Sequence, residues 1–509
     1  MKNRRKSDSI PDYYGKGGRL GGGAVDELVN SAYKHDCADA DILLEGLHYA
    51  DLAHAIMLVE QKIIPRKAGS ILIKGLLGIQ KIKLEDFPIR PELGDVYNSK
   101  DALLKKRIGD AAGWLHAGRA RREAVNIGFL LAVRTRLLRL IDEHILLGET
   151  LMAQAEKNVA TLMPDFTYLQ HAHPTSLGHY ILTYVYPMLR DLERLKNSYA
   201  HFDQCPAGSG SVNGSRLPLD RQRLKTLLGF GGLVPHPRDA MWQPDTPIEL
   251  MSNIVTLLVN INRFSEELQI WNTAEFDMVD FSDELSRASV IMPQKKNPYG
   301  LAYIRGLTGS MLGKVSSFAA LGKTYSGNPD NRTFIYGELP RSLDKTTDGL
   351  RLLRAIVGSM KPNVELMRRR VLEGFSQATD LADLIMTKKG VDYRAAHQIV
   401  GLTVRKSLAA GISGYQVTSQ MLDNSAREII GAPLRLDDKT IQSALDPQQV
   451  VASRKGIGGA SPKRVLEMVK ECRKTLSKHS LWLQKHETHQ KTSLQQLIKT
   501  ATTFSKTSK

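Results

Sequence analysis

Apolar residues in this chain recur at intervals of three and four over long stretches. Leu130, Val133, Leu137, Leu140, His144, Leu147 and Leu151 step in this way, and His144 is the single polar member. Such a seam is a heptad pattern suited to a helix bundle. About 40 residues here lack proline, which predicts a helix of roughly 60 Å. Leu177, Ile181, Tyr184, Met188, Leu192, Leu195 and Tyr199 form a second seam, where Pro187 is expected to introduce a kink. Leu250, Ile254, Leu257, Ile261, Phe264, Leu268 and Trp271 form a third. Two further helices are predicted from about Gly300 to Leu321 and from about Arg341 to Met360. Five long helices with sustained seams predict an all-α protein organised around a long central bundle. Shorter helical patterns from Asp36 to Ile64 and from Lys100 to Ile108 flank a Pro- and Gly-rich loop, Phe87–Gly94.

These patterns divide the chain into five parts. Residues 1–25 read as a basic, Gly-rich flexible arm and 26–118 as an N-terminal helical domain. Residues 119–373 form the central bundle, 374–484 a smaller C-terminal helical domain, and 485–509 a basic tail. Gly456–Pro462 is a Gly-rich turn into a helix, with Ser461 as a cap and Pro462 in the first turn.

Composition narrows the class. Aromatic residues are only 6% of the chain, which suits helix more than sheet. No apolar run approaches the roughly 20 residues needed to cross a bilayer, so no membrane is expected. No apolar stretch follows the basic start Met1–Lys6, as a secretory signal would require. Three cysteines, Cys37, Cys205 and Cys472, are odd in number and far apart, which argues against a disulfide framework or a zinc cluster. A cytoplasmic protein is expected. The net charge of +17 suits either nucleic acid or a small anionic substrate. Without a basic patch interleaved with aromatics, the anionic substrate is favoured over nucleic acid.

Four stretches carry candidate chemistry. Ser286–Pro298 gathers a hydroxyl (Ser289), two ammonium groups (Lys295, Lys296) and a carboxamide (Asn297). Pro293 and Pro298 disfavour helix, so this cluster is expected on an irregular loop. A solvated Lys-Lys pair is the plainer reading of the same residues. Gly113–Glu123 sets Arg119, Arg121 and Arg122 at the mouth of the first long helix, where amides and guanidinium groups favour carboxylates. Phe166–Pro174 precedes the second long helix and offers Thr167, Tyr168, His171 and His173. Tyr325–Arg332 is a polar stretch between helices. Ala207–Gly210 and Arg216–Arg221 read as bundle-end architecture.

Ser289–Pro298 resembles the signature loop of the fumarase/aspartase superfamily, Gly-Ser-Ser-x-Met-Pro-x-Lys-x-Asn. The form Met292-Pro293-Gln294-Lys295-Lys296-Asn297-Pro298 is most similar to the argininosuccinate lyase branch. Leu115–Ala124 resembles that family's Leu-His-Thr-Gly-Arg-Ser-Arg-Asn-Asp-Gln, and Thr167–Pro174 its Thr-His-Leu-Gln-x-Ala-Gln-Pro. Ala378–Asp383 and Lys389–His397 are similar to its C-terminal domain. The chain also departs from the pattern. Tyr168 stands where the family has a catalytic His, and Ala302 where it has the Glu that pairs with that His. Ala120, Arg122, Glu123 and Ala124 replace Ser, Asn, Asp and Gln; Ala288 and Val290 replace a Gly and a Ser of the signature.

The resemblance implies an all-α homotetramer whose sites draw residues from three subunits. It implies a lyase that eliminates an amine from an N-substituted aspartate, releasing fumarate, with no metal or organic cofactor. By resemblance Ser289 is the base on a mobile loop, with Lys295 lowering its pKa, and Tyr168 is a candidate proton donor. Arg121, Arg122, Thr167, Asn297, Tyr325 and Arg332 are the candidate substrate-binding residues. A catalytically silent tetramer kept as a structural or interaction protein is the alternative that the missing His-Glu pair raises.

Overall fold

The computed structural model describes residues 23–326 and 330–506. The basic arm over residues 1–22 and the Gly327–Pro329 segment lie outside the described residues. Helix α1 (Ala40–Glu60) and α2 (Val96–Ile108) belong to the N-terminal part. The long helices are α3 (Arg121–Lys157), α4 (Leu177–Phe202), α5 (Asp245–Trp271), α6 (Tyr299–Gly322) and α7 (Glu338–Ser359). Their bounds follow the predicted seams, and every residue named in the first three seams is buried, His144 included. α3 packs against α1, α4 and α7, and α5 against α4 and α6, so the apolar faces close on one continuous core. α4 runs through Pro187 without interruption of its helical assignment.

At one crossing the backbones themselves touch. A Cβ built on Gly46 of α1 would lie 2.5 Å from the Cα of Gly128 on α3 and 2.7 Å from its carbonyl oxygen. Both sides are rigid helix, so neither yields cheaply. Gly46→Val is expected to destabilise the protein by about 3 kcal/mol in urea unfolding. A loss under about 0.5 kcal/mol would show that the crossing is looser than this geometry.

Two expectations need correction at the C-terminus. Residues from Lys485 are not a tail: helix α8 runs from Pro462 to Lys506. It returns to the main bundle, burying Val465, Val469, Cys472, Leu476, Leu483, Leu497 and Ala501 in the main core and packing against α1, α3 and α4. The separate C-terminal core is therefore smaller than 374–484. It is built from four shorter helices between Ala378 and Leu445, around Leu381, Ile385, Ile399, Leu422 and Ile441. The polar spacing after Lys485 hid a helix with one narrow apolar stripe.

A third correction concerns apolar runs. α1 is long and apolar enough to cross a membrane by length and composition, with mean hydropathy 1.4. It is instead a core helix, 89% buried over that window.

Candidate active site

The start of α3 is held by a buried charge network. Arg119, two residues before Arg121, donates from Nη2 to Asp51 Oδ1 at 2.5 Å and from Nη1 to the Ala50 carbonyl at 3.2 Å. Lys100 on α2 donates to the other Asp51 oxygen and to the Leu47 carbonyl at 3.0 Å. Burial pushes the Asp51 carboxyl up, but Lys100 and Arg119 outweigh it and hold the group at about 2. His54 Nε2 lies 2.9 Å from the Ala117 carbonyl, pinning the preceding turn. Glu123 accepts from the Gly208 amide (2.7 Å), the Ser209 hydroxyl (2.9 Å) and the Gly210 amide (3.2 Å). The Ala207–Gly210 segment is thus architecture, and its positive φ at Gly208 and Gly210 lets it wrap one carboxylate.

This scaffold sets Arg121 and Arg122 on the wall of a cavity of about 1480 Å³, together with Asp36, Asp95, Arg332 and Tyr336. Arg121 Nη1 pairs with Asp95 Oδ2 at 2.9 Å. Asp95 also caps α2, accepting from the Asn98 amide at 2.8 Å. Arg332 is buried; it donates to the Met241 carbonyl and lies over the Tyr336 ring at 5.5 Å. Tyr325 is exposed, near Ser326, whose carbonyl accepts from Arg238 at 3.3 Å.

A second group of candidates stands at the other end of the bundle. Thr167 and Tyr168 stand at the tip of an antiparallel hairpin, β1 (Leu162–Thr167) with β2 (Gln170–Ser176). Tyr168 and Leu169 both have positive φ, 56° and 58°, the mirror-image two-residue turn usually made by Asn-Gly. Strain of this kind in bulky residues persists only where the surrounding structure holds it. The Tyr168 side chain is 99% exposed in the single chain.

The signature loop is a second hairpin. β3 (Arg287–Ala288) pairs with β4 (Lys296–Asn297), leaving 289–295 as its loop. Lys296 ties the stem down, with Nζ 3.0 Å from Asp280 Oδ1, 2.9 Å from Asp283 Oδ1 and 2.5 Å from the Phe281 carbonyl. Asn297 Nδ2 donates to the Arg287 carbonyl at 2.8 Å, and the Arg287 guanidinium lies 4.9 Å from the centre of the Tyr299 ring. Ser289 Oγ accepts from the Met292 amide at 3.2 Å, while Lys295, Val290 and Ile291 are exposed. Phe166 of the first hairpin packs with its ring tilted, 6.1 Å from that of Phe276, which leads into this loop, so the two hairpins share one end of the molecule.

The 37 residues of α3 carry the chain roughly 55 Å from Arg121 to Lys157, and the hairpin that bears Tyr168 follows at that far end. One chain brings together Arg121, Arg122 and Arg332, and groups Thr167, Tyr168, Ser289, Lys295 and Asn297 at the far end. It does not join the two sets. Among the described residues, no cluster of His, Cys, Asp or Glu could hold a metal ion. Asp36 and Asp95 were missed by sequence reasoning; only the cap position after Gly94 pointed to Asp95.

Comparison with known proteins decides the lineage. A family model described as "Lyase" matches residues 31–313, and one described as "Argininosuccinate lyase C-terminal" matches 375–452, the span of the second core. The chain is 32% identical over 466 residues to the argininosuccinate lyase of Methanothermobacter thermautotrophicus, covering 90% of this chain and 97% of that one. The enzyme of Methanosarcina acetivorans is 34% identical over 421 residues, covering 82% and 84%. This chain belongs to the argininosuccinate lyase family.

It is an all-α carbon–nitrogen lyase, and the silent-scaffold alternative is set aside. Among solved structures, an EDDS lyase variant with bound fumarate superposes with a TM-score of 0.85 at 27% identity, covering 96% of this chain and 97% of the other. EDDS lyase in complex with formate gives 0.84 at 28% identity, with the same coverage. The lyase fold thus extends over 96% of this chain.

Proposed function

We propose that this lyase eliminates an amine from an N-substituted aspartate, releasing fumarate, in sites completed by neighbouring copies of a homotetramer. The observation that carries the shared site is the division of the candidate residues between two ends of α3. The outer face of α6 supports close approach of a second copy. Tyr303 and Leu312 are exposed there, and a Cβ added to Gly306, Gly309 or Gly313 would meet nothing within 4 Å. A cytoplasmic location accords with three buried, free cysteines.

In this reading Ser289, as its alkoxide, removes the proton from the carbon beside a carboxylate. The resulting dianionic intermediate needs fixed cations and donors around it. Lys295 lowers the serine pKa, and Asn297, Thr167, Arg121, Arg122, Tyr325 and Arg332 hold the carboxylates. Tyr168 gives a proton to the departing nitrogen, the role left open by the absent His. The signature hairpin, latched at Lys296 and exposed at its tip, closes over the substrate and excludes water.

The test is addition of amines to fumarate, followed as loss of fumarate absorbance, with arginine and amino diacids among the amines. Ser289→Ala is expected to slow addition at least ~100-fold with an unchanged circular dichroism spectrum. A variant as fast as the wild type would remove the serine from the mechanism.

A further inference from the structure

The outward face of α8 carries one sign of charge along its whole length. Lys463, Lys485 and Lys506 stand nearly in line on it, at about 100° of rotation per residue. Lys470, Lys474, Lys478 and Lys499 fall within the same arc of about 80°. That arc lies opposite the stripe of Val465, Leu476, Leu483 and Ala501 that enters the main core. All of these lysines are exposed, and none forms a hydrogen bond or ion pair among the described residues. Glu467, the one acid within the arc, is paired with Arg464 at 2.6 Å, and Glu471 stands just outside it. Glu156 of the neighbouring α3 is taken up by Arg473, also at 2.6 Å. A solvated helix face ordinarily alternates its signs at four-residue spacing; this one does not.

The ridge is also straight and long, about 65 Å from Lys463 to Lys506. No aromatic residue lies within the arc, so it offers no platform on which unpaired bases could stack. Leu481 is its single large apolar residue, too little to seat a helix in a bilayer surface. What fits is a stiff rod of phosphates with its bases shut inside. The spacing of the lysines points the same way. Lys485 follows Lys463 by 22 residues and Lys506 follows Lys485 by 21, steps of about 33 and 32 Å. Lys499 follows Lys478 by 21 residues as well. One turn of B-form DNA is about 34–36 Å, so the charges recur almost as often as one strand returns to the same side. Thr488 and Thr492 add neutral donors between Lys485 and Lys499.

We propose that the outward face of α8 binds the phosphate backbone of double-stranded DNA, without reading its sequence, over about 19 base pairs. Contacts made only to phosphates set position and affinity and carry no base preference. None of the ridge residues is among the candidate site residues, so this surface stands whether or not the serine mechanism does.

The test uses the full chain and a labelled DNA duplex of about 30 base pairs, followed by fluorescence anisotropy. With five lysines on phosphates, affinity is expected to fall about 500-fold between roughly 50 and 200 mM salt, a logarithmic slope of about −4.5. The triple variant Lys463→Gln, Lys485→Gln, Lys506→Gln should bind at least ~10-fold more weakly at the lower salt and flatten the slope by about 2.7. Its circular dichroism spectrum should be unchanged. Lys388→Gln, Lys439→Gln, Lys455→Gln removes the same charge away from α8, and should stay within about two-fold of the wild type. Equal losses in the two variants, or none in the first, overturn the proposal. So does binding to an RNA duplex, single-stranded DNA or anionic vesicles as tight as binding to duplex DNA at the same salt.

Discussion

Asp51→Ala lowers the unfolding free energy in urea by about 3–5 kcal/mol, the penalty for breaking a buried pair by removing one partner. Asp51 is 1% exposed, and its two oxygens are taken up separately by Lys100 and Arg119, which are themselves buried. Removing it leaves two cations facing each other in the core, each still desolvated. Typical domains hold only about 5–15 kcal/mol in total, so much of the stability goes with one carboxylate. The exposed pair Arg90–Glu92, by contrast, is worth less than about 1 kcal/mol to Glu92→Ala. A loss below about 1 kcal/mol for Asp51→Ala would mean that water reaches the network. Because Arg119 stands two residues before Arg121, partial loosening should also raise KM before it lowers kcat.

The stability of the wild type relative to His144→Leu falls by about 3 kcal/mol between pH 7 and pH 4. His144 is the polar member of the α3 seam, and it is fully buried beside the Met188 backbone and His479. Burial pushes its imidazole down to about 4. The sign follows from proton counting. Between pH 6.5 and 4 the unfolded chain carries a proton on His144 and the folded chain does not, so acid favours unfolding. Leucine fits the heptad and removes that term, together with the smaller repulsion between His144 and His479. Urea midpoints for both proteins across this range measure it; parallel curves would place water or a strong acceptor against the ring.

The long helices were readable because each buries a whole seam, and the same spacing that marks a helix also marks which face turns inward. The family motifs gave Ser289, Lys295 and Arg121 their places in the chain. Other features left little local trace. The Thr167–Gln170 turn carries no glycine or asparagine, so nothing in its sequence marks a tight hairpin with two left-handed residues. Beyond Lys485 the apolar positions Leu494, Leu497, Ile498 and Ala501 are diluted by lysines and glutamines, and only packing against α3 reveals the helix. Asp51 sits inside the most apolar run of the chain, but its two partners come from 49 and 68 residues away. Asp36 comes to line the cavity beside Arg121 and Arg122 only once the fold has formed.

The return of the last helix to the first has a consequence for biosynthesis. As the chain leaves the ribosome, α1 and the helices packed on it emerge early, with the groove that α8 fills still open. The C-terminal core draws only on residues between Leu381 and Leu445, whereas the main core waits for residues of α8, from Val465 to Ala501. A nascent chain stalled before Leu476 exposes the sites of Leu476, Leu483 and Leu497 on an otherwise assembled bundle. Quality-control factors that bind apolar surface would find products that lack α8 more readily than those that carry it.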